Sequence, residues 1–241
     1  MLRYLSVLLL FQYSILFAQA EYSVSKIPQE LLENANSVVV DEQISVTIPD
    51  IKTLKRSTYR LITVLNKNGN KDVDAYAFYD DDSKVKRVRA VIYDKDGEEI
   101  EKFKKLDFLD LSAVDVGTLY SDSRILALNY TPAAYPYTVV FESEVETNNT
   151  AFIPTWYPNS SYNSSTVSSS YILTVDPSLT LRHKPFNLSD AISIDVGSHL
   201  VKAHAKNISA IEHEDHSPSR KSFMPHVMFA LDRFNMSGAE G

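Results

Sequence analysis

The 241-residue sequence contains no cysteine. Disulfides, thiol nucleophiles, thiolate metal sites and the lipid-modified cysteine of bacterial lipoproteins are therefore excluded within it. A eukaryotic secreted chain of this size normally uses disulfides, so their absence points to a bacterial envelope or secreted protein whose core suffices without them. Glycine is scarce as well, at 6 residues. No phosphate-cradling loop, dinucleotide fingerprint or Gly-x-Ser-x-Gly nucleophile turn can be assembled from so few. Basic charge is also short: 24 Lys plus Arg face 31 Asp plus Glu, a net charge of −7. Nucleic acid is a poor partner for such a chain, because binding phosphates needs a concentrated positive face.

Long apolar runs are missing too, with one informative exception. Arg3 precedes the run Leu5 to Phe17, and Ala18-Gln19-Ala20 follows it. The run falls short of the roughly 20 residues that cross a bilayer as a helix. With its basic start and small-residue end it predicts a signal peptide over residues 1–20, cleaved after Ala20. Export to the periplasm or the cell exterior follows, with no permanent membrane span after signal removal.

What is present is β-forming. Val, Ile, Thr and the aromatics make up 75 of the 241 residues, and these types suit a pleated, half-buried surface. Val38, Val40, Ile44, Val46 and Ile48 recur at mostly even spacing, and Tyr59, Leu61, Thr63 and Leu65 alternate with Arg60, Ile62 and Val64. Asn66 to Asn70 reads as a turn, after which Val73 to Tyr79 is expected to return as the partner strand. Val88 to Tyr93, Asp94-Lys95-Asp96-Gly97 and Glu98 to Phe103 predict a hairpin with glycine at the left-handed position. Further strands are expected at Arg124 to Leu128, Tyr137 to Val145, Ser169 to Val175 and Leu179 to Lys184. Helix is confined to a short piece at Pro28 to Asn34 and one turn within 105–121. The serine-rich stretch 158–170 reads as a polar edge or exposed loop. The fold class predicted is all-β, an antiparallel β-sandwich with few short helices.

Chemical candidates are sparse. His213-Glu214-Asp215-His216 lacks the i, i+4 histidine spacing of the metalloprotease helix and reads as a solvated loop. Asp80-Asp81-Asp82 and Asp94-x-Asp96-Gly97 are fragments of calcium loops without the later ligands. No metal, cofactor or catalytic set is predicted. Tyr135, Tyr137, Trp156, Tyr157 and Tyr162 crowd among prolines, and aromatic faces on such rigid segments either stack on a glycan or peptide or close the end of a core. Both readings stand at this point. Asp122 and Arg124, two apart on one strand face, are expected to form a structural ion pair.

Several stretches together carry a resemblance: Tyr120-Ser121-Asp122-Ser123-Arg124, Tyr135-Pro136-Tyr137-Thr138-Val139, Phe152-Ile153-Pro154-Thr155-Trp156-Tyr157-Pro158, Ser170-Tyr171 and Leu181-Arg182-His183-Lys184. They resemble a domain of unknown function found N-terminal to transglutaminase-like domains in secreted Gram-negative bacterial proteins. His183 stands where that pattern has an aromatic. The resemblance implies a β-sandwich-like module over 21–222 and a linking segment over 223–241, cut short before the domain that follows. It implies a transglutaminase-like domain as partner, in the same or a longer chain. That domain resembles papain-type enzymes using Cys, His and Asp, and this cysteine-free stretch has no such nucleophile. The expected role is a non-catalytic module that presents substrate to that partner. The alternative is a free-standing peptide- or glycan-binding module of the envelope.

Overall fold

The alternating runs of the first third become the central strands of a large sheet. In this computed structural model, which describes residues 22–113, 122–159 and 161–241, β1 (Ser37–Asp50) and β2 (Thr53–Val64) form a long antiparallel hairpin. The Asp50 carboxylate closes its turn by accepting the Lys52 amide at 2.8 Å. The expected signal peptide lies outside the described residues, as do Tyr120 and Ser121.

The chain continues through β3 (Tyr76–Tyr79), β4 (Ser83–Tyr93), β5 (Glu99–Lys104), β6 (Leu109–Ser112), β7 (Arg124–Ala127) and β8 (Tyr137–Thr147). Then follow β9 (Ser164–Val175), β10 (Leu181–Phe186), β11 (Ile192–Val196), β12 (Leu200–Ile208), β13 (His226–Leu231), β14 (Asn235–Met236) and β15 (Ala239–Glu240). Eight strands form one sheet in the order β11-β12-β9-β1-β2-β8-β4-β5. Two smaller sheets, β3-β7-β6 and β10-β13, cover one face of it side by side. The result is the mostly β, sandwich-like architecture expected. Gly97, at φ 88°, closes the expected β4–β5 hairpin, a conformation glycine adopts without a Cβ penalty.

Each cover encloses its own core. Under β3-β7-β6, Ile62, Val64, Val88, Ile92, Val139 and Phe141 meet Ala77 and Leu126. Under β10-β13, Val46, Ile48, Tyr171, Leu173 and Val201 meet Trp156, Val227 and Phe229. A third, small cluster forms where Ile27 and Leu31 pack on Val38. The helix expected at Pro28 to Asn34 is there a single 3-10 turn, Gln29–Leu31. The turn expected within 105–121 is the 3-10 segment Lys105–Asp107.

Four features depart from expectation. Val73 to Tyr79 does not return along β2, because both edges of β2 are already taken by β1 and β8. Instead Lys67–Asp72 forms a 3-10 segment, in which Gly69 sits so close to the Asn36 carbonyl that a Cβ would lie 2.1 Å from it. Positive φ at Asp74 then sends the chain into the cover sheet. The serine-rich stretch is not an exposed loop either. It enters β9, which pairs in parallel with β1, and its hydroxyls are satisfied indoors: Ser165 donates to the Leu31 carbonyl at 2.6 Å and Thr166 to that of Pro158 at 2.9 Å. Nor were β6, β11, β12 and the short pair β14 and β15 expected. Finally, the stretch assigned to a linking segment, 223–241, contributes β13, whose Val227, Phe229 and Leu231 complete the second core. Alternation over so short a strand is visible only once its partner β10 is known.

Candidate functional site

The apolar face of the large sheet is interrupted by charge at the seam between its two covers. Alternation along β2 puts Leu54, Arg56, Thr58, Arg60, Ile62 and Val64 on one face. Leu54 belongs to the second core, Ile62 and Val64 to the first, and the two arginines lie between them. Burying charge inside a sandwich is unfavourable unless it is paired and hydrogen-bonded.

Arg60 is so paired. Its cross-strand register partner is Glu42, and the two side chains, each 8% exposed, form a salt bridge through Nη1 and Oε1. Glu42 Oε2 accepts from the Ser169 hydroxyl at 2.9 Å, and Ser169 accepts in turn from the Trp156 indole N–H at 3.0 Å. On the other side Arg60 Nη2 donates to the Asp72 carbonyl at 3.2 Å and lies 3.8 Å from Asp74. The relay thus ties the segment leading into one cover to the segment that underlies the other.

Arg56 is different. Its Nε is buried without a partner, and its side chain makes no hydrogen bond or ion pair among the described residues. Burial pulls its guanidinium below the usual arginine range, opposed by the nearby Tyr171 and Tyr76 phenols. Beside it opens a recess of about 310 Å³ whose lining includes Arg56, Phe78, Asn149, Phe152 and Pro154. A second recess, of about 350 Å³, is lined by Asp41, Tyr59, Arg87, Glu142 and Glu144. There the charges answer one another, with Arg87 at 3.5 Å from Glu142 and 3.6 Å from Glu144.

The five aromatics singled out in the sequence do not converge on one surface. Tyr137 is buried at the end of the first core, and burial drives its hydroxyl pKa well up. Tyr135 lies beside it, and both hydroxyls bond the Asn70 side chain, at 2.6 Å and 3.0 Å. Trp156 is fully buried in the second core. Tyr157 stacks on His226, which stacks on Phe186. Tyr162 meets His213 edge-on and leans on Phe223. Among the described residues, no three His, Asp or Glu side chains gather as metal ligands.

Arg124 forms its ion pair with Asp110, not with Asp122: Nε lies 2.9 Å from Asp110 Oδ1. The pair spans β6 and β7, and neighbouring strands bring side chains closer than residues two apart along one strand. The Arg124 guanidinium, and after it the Tyr79 hydroxyl, hold the Asp110 carboxyl below its ordinary value of 3.8. A carboxyl depressed by folding adds stability above its unfolded pKa, and that stability is lost as pH falls through the folded value. Titration followed by NMR is expected to show Asp110 protonating at lower pH than in an Arg124→Gln variant. Identical titration curves would mean the pair is uncoupled in solution.

Sequence reasoning passed over Arg56, Arg60 and Glu42. The available signal was positional: charged residues at the parity of Ile62 and Val64 must face the core, and such residues need partners or a purpose.

No functionally curated protein matches this chain. The crystal structure of a putative protease from Parabacteroides distasonis ATCC 8503 shares the fold, with a TM-score of 0.61 at 14% identity, over 81% of this chain and 40% of that one. The chain thus spans well under half the length of that protein. An M1 zinc metallopeptidase from Deinococcus radiodurans aligns over 81% of this chain and 42% of its own at 8% identity, with a TM-score of 0.31. Residues 51–212 match the profile of a family described as a Domain of Unknown Function with solved structure, DUF3857. The match leaves out β1 and β13, although both are built into the two-layer fold. Covering more than half of the sequence, it settles the affiliation: the chain belongs to the DUF3857 family, whose domains occur N-terminal to transglutaminase-like domains.

Proposed function

We propose that this chain is an exported accessory module that docks on a transglutaminase-like domain and presents substrate to it. The observation that carries the reading is the outer face of the β3-β7-β6 cover. Its inner face supplies Ala77 and Leu126 to the first core, so register puts Tyr76, Phe78, Leu109, Leu111, Ile125 and Ala127 on the other side. Tyr76, Phe78, Leu109 and Leu111 are each well exposed. A two-layer domain has no structural need for a third apolar face, and contiguous apolar surface of this kind marks an interaction site. The putative protease supports the same reading, since 40% coverage leaves most of that protein outside the match. We take the module to run from the N-terminal 3-10 turns through β13, beyond the boundary at 222 expected from sequence.

Native protein from the host's envelope fraction tests this. Its mass is expected to exceed the 27.2 kDa of this chain. Amide exchange at β3, β6 and β7 is expected to be slower in that native protein than in the isolated chain. A native mass no larger than this chain, with unchanged exchange on that face, would refute docking. In the isolated chain, Phe78→Glu combined with Leu111→Glu should reduce dye binding to exposed apolar surface without altering the melting temperature by more than about 2 °C.

A further inference from the structure

The recess beside Arg56 differs from the second recess described above in holding a cation that no carboxylate pairs with among the described residues. We propose that it binds a short peptide through a carboxylate, which pairs with the Arg56 guanidinium while a neighbouring apolar side chain lies between Phe78 and Phe152. This goes beyond the docking role: the recess shares Phe78 with the proposed docking face but is lined entirely by residues of this chain, so the isolated chain tests it separately.

Four observations support it. Arg56 projects from the sheet face that carries both cores, half-buried, with its Nε buried and unpartnered and no carboxylate paired with its guanidinium among the described residues. Asp80, on the same wall, does not neutralise it: Asp80 Oδ1 accepts from the Asp82 amide at 3.0 Å and from the Ser83 hydroxyl at 2.7 Å, holding its own turn. The walls are apolar where a ligand body would lie. Phe152 is 72% exposed and Phe78 49%, Pro154 lines the recess with them, and such rings keep their exposure only if nothing in the chain covers them. Lastly, the Asn149 side chain lines the same recess, and its Oδ1 already accepts from the Ala151 amide at 3.1 Å, which leaves the NH2 group to donate to a ligand carbonyl.

The chemistry chooses among anions. One planar guanidinium fork matches one carboxylate in a two-point contact, whereas the second negative charge of a phosphate would face the Asp80 carboxylate in the same recess. At about 310 Å³ the space sits at the small end of ligand pockets, roughly 300–1,000 Å³, and admits one or two residues. Asp80, which also lines the recess, disfavours a second negative charge on the ligand.

The test is fluorescence anisotropy on the purified chain with four probes. They are dye-labelled Ala-Phe-Glu-amide, its Gln counterpart, dye-labelled Ala-Phe with a free C-terminus, and decanoate as competitor. Binding is expected for the Glu peptide or the free C-terminus, which of the two showing whether side-chain or terminal carboxylate is preferred, and not for the Gln amide. Arg56→Met keeps the stem and removes the charge. It is expected to weaken binding at least about tenfold without lowering the melting temperature, because the charge it removes is unpaired. Phe152→Ser, on the surface, should also weaken binding and carries no risk to the fold. Equal binding of the Glu and Gln peptides, undiminished binding by Arg56→Met, or binding of decanoate alone would overturn the proposal, as would the absence of peptide binding at about millimolar concentration.

Discussion

Trp156→Ala is expected to destabilise the chain by about 3–5 kcal/mol, the range for deleting a fully buried large aromatic. Trp156 heads the fully buried side chains by volume, and it packs among Tyr171, Leu173, Val227 and Phe229 in the second core. Its backbone also exchanges two hydrogen bonds with Val227, both 3.0 Å, so the segment that carries it is what aligns β13 against the sheet. The alanine variant leaves a cavity and frees the Ser169 hydroxyl from the indole. Far-UV circular dichroism during urea and thermal unfolding is the appropriate readout, because the variant removes the single tryptophan of the chain. A fall in melting temperature of roughly 10 °C or more is expected. Trp156→Phe separates volume from hydrogen bonding, keeping most of the packing and losing the bond to Ser169, at about 1–2 kcal/mol. A loss under about 1 kcal/mol for the alanine variant would contradict the burial and return Trp156 to the surface as a stacking residue for ligands.

The second large effect is expected at the seam. Glu42→Ala leaves the Arg60 guanidinium buried with its carboxylate gone, and breaking a buried pair from one side costs about 3–5 kcal/mol. Asp74, 3.8 Å from Arg60, offers partial compensation, so the lower end of that range is the expected result. The loss spreads further than one pair, because Glu42 also receives the Ser169 hydroxyl that receives Trp156. The combined Glu42→Leu and Arg60→Met replacement removes both charges and fills the space with apolar atoms. It is expected to be far less harmful than Glu42→Ala, since no charge is then left buried alone. Urea unfolding of Glu42→Leu, of Arg60→Met and of the double closes a thermodynamic cycle. Additive losses would show that Glu42 and Arg60 do not interact in the folded chain.

These two expectations also mark where sequence patterning succeeded and where it ran out. The hairpin ending at Gly97 and the strands over 124–128 and 137–145 were legible because each carries its own period and turn residues. The crowd of aromatics was legible as a group but not as a site. Proximity in sequence does not survive folding: Tyr137 and Trp156 stand 19 positions apart and end in different cores. The Asp122–Arg124 pairing failed for the same reason, since β6 brought Asp110 from another strand. Arg56 and Arg60 could be placed on the inward parity of β2, yet which of them would be answered by Glu42 depended on the β1–β2 register and its irregularity between Val39 and Asp41.

Composition and local period alone determined that this chain is cysteine-free, mostly β and without the glycine loops or basic face of several large function classes. Particular residue stretches, Pro154-Thr155-Trp156-Tyr157-Pro158 above all, carried the family resemblance that the profile match bears out. Tertiary structure decided the rest. It put β9 beside β1 in parallel, drew residues beyond 222 into the core, divided the buried face between two covers and left Arg56 alone at the seam between them. The physical reason is that strand order and the partners of buried charges are long-range properties. They depend on which edges are already occupied and which face is already covered, and neither is written within the window over which a local pattern can be read.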